Sequence, residues 1–194
     1  MNFTIPPLDT ALDTALQQKI DNKTKPLGSL GVLEKVALRV GRIQQTLAPQ
    51  FTRPYNLIFA ADHGAAKAGL SAYPQEVTWQ MVENFLSGGA AVSVLSRQHG
   101  IGLHVVDCGV ARDFARREQT PWTIDSTDLT PRLWRRKVAY GTRDCSTEPA
   151  MTAQECAFAL RNGAELVKKL PGNALLLGEM GIGNTASAAL ITHA

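Results

Sequence analysis

Hydrophobic residues near the amino terminus recur at the spacing of an amphipathic helix. Leu12, Leu16 and Ile20 lie four residues apart, which predicts a helix over residues 9–23. A stretch containing Pro and Gly then breaks the pattern, and renewed helical spacing predicts a second helix over residues 30–47. Both helices precede any apolar run that fits a strand, so they are expected to form a small helical subdomain.

Short, continuous apolar runs appear in the rest of the chain at residues 56–61, 103–107 and 174–177. Such runs are typical of strands in a parallel sheet that helices bury on both faces. Helical patterns separate or surround the runs, and they predict helices over residues 74–86, 90–99 and 152–170. The last of these opens with a Thr-Ala-Gln-Glu capping box.

The alternation of buried strands with helices predicts an α/β fold, a parallel Rossmann-like sheet flanked by helices. The expected boundaries are residues 1–50 for the helical subdomain and residues 51–194 for a partial parallel α/β domain. Residues 111–148 lack a clear pattern and are expected to be mostly loop. Only three strands are evident, and the final Ala-rich helix has no closing Gly or Pro, so the sequence is expected to be truncated.

Polar or glycine-rich turns follow all three predicted strands, at residues 62–64, 107–109 and 178–185. Ligands of parallel α/β sheets gather at the carboxyl ends of the strands. We therefore expect the three turns to converge on one cleft.

The turn at residues 178–185, Gly-Glu-Met-Gly-Ile-Gly-Asn-Thr, is the strongest chemical signal in the sequence. Glycines let the backbone approach a ligand closely, and the N–H groups that open the following helix favour an anion. A phosphate site is one interpretation, and a tight strand-to-helix turn without a ligand is the other. Because Glu179 would repel a phosphate, its carboxylate is expected to meet a ribose hydroxyl or to act on a proton.

The turn at residues 62–64 offers two further polar groups. Asp62 and His63 can orient a catalytic base or bind a metal; alternatively, Asp62 caps the loop and His63 packs beside it. Two such residues without a third ligand do not predict a metal site. Further along, Tyr73 is a candidate wall for an aromatic pocket, and Gln80 faces either that pocket or solvent.

Charge and composition narrow the function classes. The chain has 194 residues and a formal net charge of +3, without the long basic stripe with interleaved aromatics that binds nucleic acid. Residues 112–137 hold much of the positive charge, which we interpret as a solvated variable loop. The start of the chain does not resemble a signal peptide, and no apolar stretch is long enough to span a membrane. Three cysteines without CxxC spacing complete the prediction of a cytoplasmic protein with reduced thiols.

Six motifs, taken together and in order, resemble the nicotinate-nucleotide:dimethylbenzimidazole phosphoribosyltransferase family over the N-terminal half or so of its members. They lie at residues 25–31, 61–64, 71–78, 84–91, 106–110 and 178–185. The resemblance implies transfer of phosphoribose from nicotinate mononucleotide to 5,6-dimethylbenzimidazole, a step in making the lower ligand of cobalamin. The products are α-ribazole 5′-phosphate and nicotinate. The resemblance also implies that the protein is a homodimer and that it uses no metal and no organic cofactor.

The same resemblance assigns roles to particular residues. It implies that Tyr73 and Gln80 lie near the benzimidazole, and that Glu179 faces the reacting region. The residues expected to bind substrate are Asp62, His63, Tyr73, Gln80, Gly178, Met180, Gly181, Gly183, Asn184 and Thr185.

One group of the family has no counterpart in this sequence. The general-base glutamate of the family lies in a Gly-rich motif near the carboxyl terminus of its members, and no residue here matches it. Glu179 is the pocket carboxylate that we nominate as a substitute base. The alternative function is a non-catalytic remnant that self-associates and at most binds an aromatic base or a nucleotide.

Overall fold

The structure of the chain, a computed structural model, describes residues 4–114 and 129–193. It divides into two compact units, Met1–Phe51 and Thr52–Ala194. Within the described ranges no helix combines the length and the apolar character needed to cross a membrane.

The first unit is a pair of helices, α1 (Asp13–Asp21) and α2 (Val32–Gln44). Both are shorter than the pattern predicted, because the residues at either end of each predicted helix form turns or irregular backbone. Leu16 is buried between the helices, where its side chain lies over Gly41 of α2. An ion pair between Asp13 and Arg42 also joins α1 to α2.

The second unit contains a four-stranded sheet in which all neighbours are parallel, in the order β3-β2-β1-β4. The strands are β1 (Tyr55–Ala61), β2 (Gly102–Gly109), β3 (Arg132–Arg135) and β4 (Leu175–Met180). The prediction of a parallel α/β fold is confirmed.

Four helices of the second unit connect or follow these strands. They are α3 (Val77–Ser87), α4 (Ala91–Gln98), α5 (Ala153–Lys169) and α6 (Asn184–His193). The predicted start of α3 at residue 74 is wrong, because Pro74 belongs to a turn in which its carbonyl accepts the N–H of Val77 at 3.1 Å. A short 3₁₀ helix, Gly64–Ala68, follows β1.

Apolar side chains pack on both faces of the sheet. On the face covered by α3, the core includes Val82, Phe85 and Val105. On the opposite face, Leu166 of α5 packs with Val106 and Trp134. Burial of this kind contributes roughly 25 cal/mol per Å² of apolar surface removed from water, so the two layers hold the strand ends in fixed positions.

The region expected to be mostly loop contains β3, which the sequence pattern did not reveal. One basic residue here differs from the solvated loop that we predicted: Lys137 is largely buried and lies 3.1 Å from the buried carboxylate of Asp107. Arg112 lies over the ring of Trp79, with its guanidinium carbon 3.9 Å from the ring centroid. Arg116 and Arg117, two further members of the basic stretch, lie outside the described residues.

The prediction that β4 is a buried strand is wrong. Among the described residues β4 pairs with β1 on one side only, and the side chain of Leu177 is 70% exposed. The apolar sequence of β4 is similar to that of β1. A continuous apolar run, however, does not indicate which other elements cover the strand.

The capping box predicted at the start of α5 is present and is tied to the preceding loop. Glu155 accepts hydrogen bonds from the backbone N–H of Thr152 at 2.6 Å and from Arg143 Nη2 at 2.8 Å. The hydroxyl of Thr152 accepts the N–H of Glu155 in return. The bond from Arg143, followed by that from Thr152, lowers the pKa of Glu155 from 4.5 to about 2.

Replacing Glu155 by Gln is expected to lower the free energy of unfolding at neutral pH. Because the pKa is depressed in the folded chain, the advantage of the wild-type chain should be full above the ordinary value of 4.5 and should be lost as the pH falls toward about 2. Urea unfolding of both proteins across this range measures the difference.

Glu148→Gln is the matched control for this experiment, since the Glu148 carboxylate lies 3.9 Å from the same arginine. It should change stability little at any pH. A difference between the wild type and Glu155→Gln that stays constant from neutral to acidic pH would contradict the expected linkage.

Candidate active site

The ends of β1 and β4 lie side by side because the two strands are parallel neighbours in register. Ala60 pairs with Met180 near the carboxyl ends of both strands, and Ala61 pairs with Gly109 of β2. The turns that leave these three strands therefore meet at one edge of the sheet, which confirms the predicted convergence.

His63, Glu179 and Asn184 are in direct contact at this edge. His63 Nε2 lies 3.3 Å from Glu179 Oε1, and Asn184 donates from Nδ2 to the other carboxylate oxygen. The side chain of Glu179 is 44% exposed, whereas that of His63 is only 15% exposed. The carboxylate is thus held by two partners while part of it remains open to a ligand.

The predicted turn at residues 178–185 is shorter than its sequence suggested. Gly178, Glu179 and Met180 belong to β4, and only residues 181–183 form the turn before α6. Met180 packs against the core on the α3 face, so its side chain faces inward. Glu179 pairs in register with Phe59, and both side chains line the same concavity on the opposite face.

The glycines of the turn allow backbone positions that a side chain would prevent. A Cβ on Gly181 would lie 2.3 Å from the carbonyl oxygen of Ala61 and 2.8 Å from the ring of His63. Gly183 has a φ of +90°, in the region that favours glycine. The turn is also tied to α3, because the hydroxyl of Thr78 accepts the N–H of Ile182 at 3.1 Å.

A concavity of about 240 Å³, with a mixed polar and apolar lining, lies over this turn and the start of α6. Its walls include Gly181, Gly183, Asn184 and Thr185, together with Ser71 from the loop before α3. The positive end of a helix dipole and the backbone of a glycine turn are both suited to a phosphate.

A second concavity, of about 250 Å³, lies beneath the start of α5, and His63 and Glu179 form part of its lining. Most of its lining is apolar, and includes Phe59, Cys108 and Met151. Burial, followed by the neighbouring charge of Asp107, raises the pKa of Cys108 to about 12. The thiol therefore stays protonated at neutral pH and acts as an apolar wall suited to a flat ring.

Sequence reasoning missed the residues that close this second concavity. Gly141, Thr142 and Met151 come from the stretch expected to be loop and from the residues just after it, and the hydroxyl of Thr142 accepts the N–H of Gly64 at 3.2 Å. A Cβ on Gly64 would lie 2.5 Å from the backbone of Arg143. Glycine and proline in that stretch were the only local signals, and they do not specify a partner.

The other predicted site residues are not gathered around Glu179. Asp62 is buried, and its Oδ2 accepts the N–H of Ala111 at 2.6 Å, which is the capping arrangement weighed as one alternative. Tyr73 and Gln80 are exposed, and neither lines the two concavities described above. Their predicted contact with a benzimidazole remains a prediction.

Within the described ranges, no group of three or more His, Cys, Asp or Glu side chains is arranged to hold a metal ion. The His63–Glu179 pair is instead bonded to the neutral amide of Asn184 and the hydroxyl of Ser187. These groups are suited to hydrogen bonding with a polar ligand.

Comparison with known proteins gives a consistent result. The profile of a phosphoribosyltransferase family matches residues 5–194. Curated relatives called nicotinate-nucleotide–dimethylbenzimidazole phosphoribosyltransferase include proteins from Dechloromonas aromatica, 56% identical over 99% of this chain, and Variovorax paradoxus, 56% identical over 98%. In both cases the match covers 52% of the relative, so the chain spans about half the length of these curated relatives.

A solved structure with this fold is also similar. The crystal structure of the nicotinate-nucleotide–dimethylbenzimidazole phosphoribosyltransferase of Thermus thermophilus matches with a TM-score of 0.80 and 39% sequence identity. The match covers 94% of this chain and 52% of that one.

Replacing Gly181 by Ala is expected to lower the free energy of unfolding by about 1–3 kcal/mol, because the added methyl group meets a backbone carbonyl and the His63 ring. Urea unfolding measures the change. Gly163→Ala is the control, since a Cβ there meets nothing within 4 Å and alanine favours the interior of α5 by about 0.5–1 kcal/mol. A Gly181→Ala protein as stable as the wild type would show that the turn does not press on His63.

Proposed function

Because the chain belongs to this phosphoribosyltransferase family, we propose that it takes part in transferring phosphoribose from nicotinate mononucleotide to 5,6-dimethylbenzimidazole. The products are α-ribazole 5′-phosphate and nicotinate. The single observation that carries the proposal is the position of Glu179, a partly open carboxylate that lines the apolar concavity and is bonded to Asn184 of the concavity over the glycine turn.

The two concavities support a division of the nucleotide between them. The phosphate is placed over the turn at residues 181–183, where the backbone and the start of α6 favour an anion. The ribose then lies near Glu179, whose exposed oxygens can accept a hydrogen bond from a hydroxyl. A flat ring is placed in the concavity walled by Phe59 and Cys108.

The reaction requires positioning and the removal of one proton. A ring nitrogen of the benzimidazole attacks C1′ of the ribose while the bond from C1′ to the nicotinate nitrogen breaks. Its electron pair returns to the pyridine ring, which was cationic and becomes neutral. The second benzimidazole nitrogen loses its proton to a carboxylate, for which we propose Glu179. Holding the two rings in line accounts for most of the catalysis that the protein supplies.

Turnover can be measured by liquid chromatography of α-ribazole 5′-phosphate formed from nicotinate mononucleotide and dimethylbenzimidazole. We expect Glu179→Gln to reduce the rate by about 100-fold or more, because the amide cannot accept the proton. Thr192→Ala is the control, since that hydroxyl bonds to the carbonyl of Ala188 within α6 and lies outside the site. Unchanged turnover in Glu179→Gln would remove Glu179 from the role of base.

A second candidate function is a non-catalytic protein that self-associates and binds an aromatic base or a nucleotide. Exposed apolar side chains on β4 and α6 favour it, because Leu177 is 70% exposed and Ile191 is 79% exposed. Exposed apolar patches next to an unpaired strand edge mark association surfaces. Calorimetry with each ligand distinguishes the two functions, since binding without turnover is the signature of the second.

Self-association through β4 predicts that Leu177→Asp weakens the assembly of the chain by at least about tenfold, because a buried unpaired charge costs more than about 1.4 kcal/mol. Sedimentation velocity over a range of protein concentrations measures the strength of self-association. Leu160→Asp on α5 alters another exposed leucine, 62% accessible, and should have little effect. A wild-type chain that stays monomeric at every concentration would contradict the second function.

A further inference from the structure

The imidazole of His63 lies between a hydroxyl and a carboxylate, which come from two different elements. Its Nδ1 is 3.1 Å from the hydroxyl oxygen of Ser187 on α6, and its Nε2 is 3.3 Å from Oε1 of Glu179 on β4. Both ring nitrogens are therefore within hydrogen-bonding distance of a side chain. Neither the sequence motifs nor the proposed transfer explains why Ser187 occupies this position.

The chemistry of the partners decides which ring nitrogen carries hydrogen. An ionised carboxylate only accepts hydrogen bonds, so the nitrogen that faces Glu179 must donate. A serine hydroxyl both donates and accepts, so it can satisfy Nδ1 whether or not that nitrogen carries hydrogen. Glu179 and Ser187 together therefore favour the tautomer of His63 with hydrogen on Nε2. In that tautomer the hydroxyl of Ser187 donates its hydrogen to Nδ1.

We propose that His63, oriented by Ser187, is a positioning residue that directs an Nε2–H donor at Glu179 and so sets the direction of its carboxylate. This rests on the proposed function, in which Glu179 faces the reacting ribose and base. Asn184 donates to the second carboxylate oxygen, so each oxygen has one protein donor. The remaining lone pairs point to the exposed side, where a ligand hydroxyl or N–H can reach them.

Backbone packing holds the ring in place. Gly181 lies against it, and a Cβ there would come within 2.8 Å of the ring atoms. The N–H of the residue after His63, Gly64, is bonded to Thr142. Glutamate on an exposed edge strand otherwise samples many side-chain conformations, and fixing it before the ligand arrives removes that cost from binding and catalysis.

The tautomer can be observed directly by ¹H–¹⁵N correlation spectra of the histidine rings. The chain has four histidines, so a His63→Gln spectrum assigns the His63 signals by their absence. In its neutral form, the His63 ring is expected to carry hydrogen on Nε2. Ser187→Ala should shift the Nδ1 signal and Glu179→Gln the Nε2 signal, while Ser187→Thr, which keeps the hydroxyl, should restore the wild-type Nδ1 signal.

Hydrogen on Nδ1 in the wild-type chain would overturn the proposal, as would a Ser187→Ala spectrum identical to that of the wild type. Thr192→Ala is the matched control on the same helix, because its hydroxyl is occupied by the carbonyl of Ala188. It should leave both ring signals unchanged. These spectra need no turnover and no ligand, so they decide the arrangement of His63 even if the chain proves inactive.

Binding of nicotinate mononucleotide, measured by calorimetry, tests the consequence for the site. Gln places an amide N–H near the position of Nε2, whereas Asn reaches only the position of Nδ1. We expect His63→Ala and His63→Asn to weaken binding by roughly ten- to hundredfold, the effect of a lost hydrogen bond to a charged group. His63→Gln should retain most of the affinity, and equal losses for Gln and Asn would overturn positioning through Nε2. A wild-type chain that does not bind the nucleotide would count against the proposed function alone.

Discussion

Parallel pairing of β1 with β4 is the interaction on which the rest of the site depends. The two strands are separated by more than a hundred residues along the chain, yet Ala60 and Met180 are partners in the sheet. In-register pairing brings His63 within reach of Glu179 and lets Gly181 close over the imidazole ring. A shift of one residue would turn Glu179 to the opposite face of the sheet, because side chains alternate along a strand.

The carboxyl edge of the sheet carries two concavities of different polarity. Toward α6 the lining is mixed and includes the glycine turn, Asn184 and Thr185, whereas beneath α5 it is mostly apolar and includes Phe59, the protonated thiol of Cys108 and Met151. Glu179 lines the apolar concavity, and its carboxylate is held by His63 and by Asn184 of the other concavity. A substrate that joins a phosphate, a ribose and a flat ring has the same order of polarity, and this correspondence underlies the proposed reaction.

Several charged side chains near the site also make bonds that stabilise the fold. Asp62, a predicted ligand-binding residue, accepts the N–H of Ala111 and so closes the turn after β2. Lys137 is held by Asp107 and the backbone carbonyl of Arg112. Glu155 joins the capping box of α5 to Arg143, beside the apolar concavity. Charged residues around the site are therefore largely occupied with one another, which leaves Glu179 as the partly exposed carboxylate next to the glycine turn.

Local sequence patterns were enough to predict the parallel α/β class, the helical pair at the start and the meeting of the turns after the strands. Apolar runs, helical spacing and capping residues are local signals, and the rule that parallel strands end at one edge needs no knowledge of strand order. The sequence also singled out His63, Glu179 and Asn184, because their residue types and the glycines around them are visible in it. The tertiary structure alone decided that β4 is exposed, that β3 exists within an unpatterned stretch, and that Ser187 and Thr142 reach the site. These depend on which elements cover one another and on contacts between residues far apart in the chain, for which local patterns carry no information.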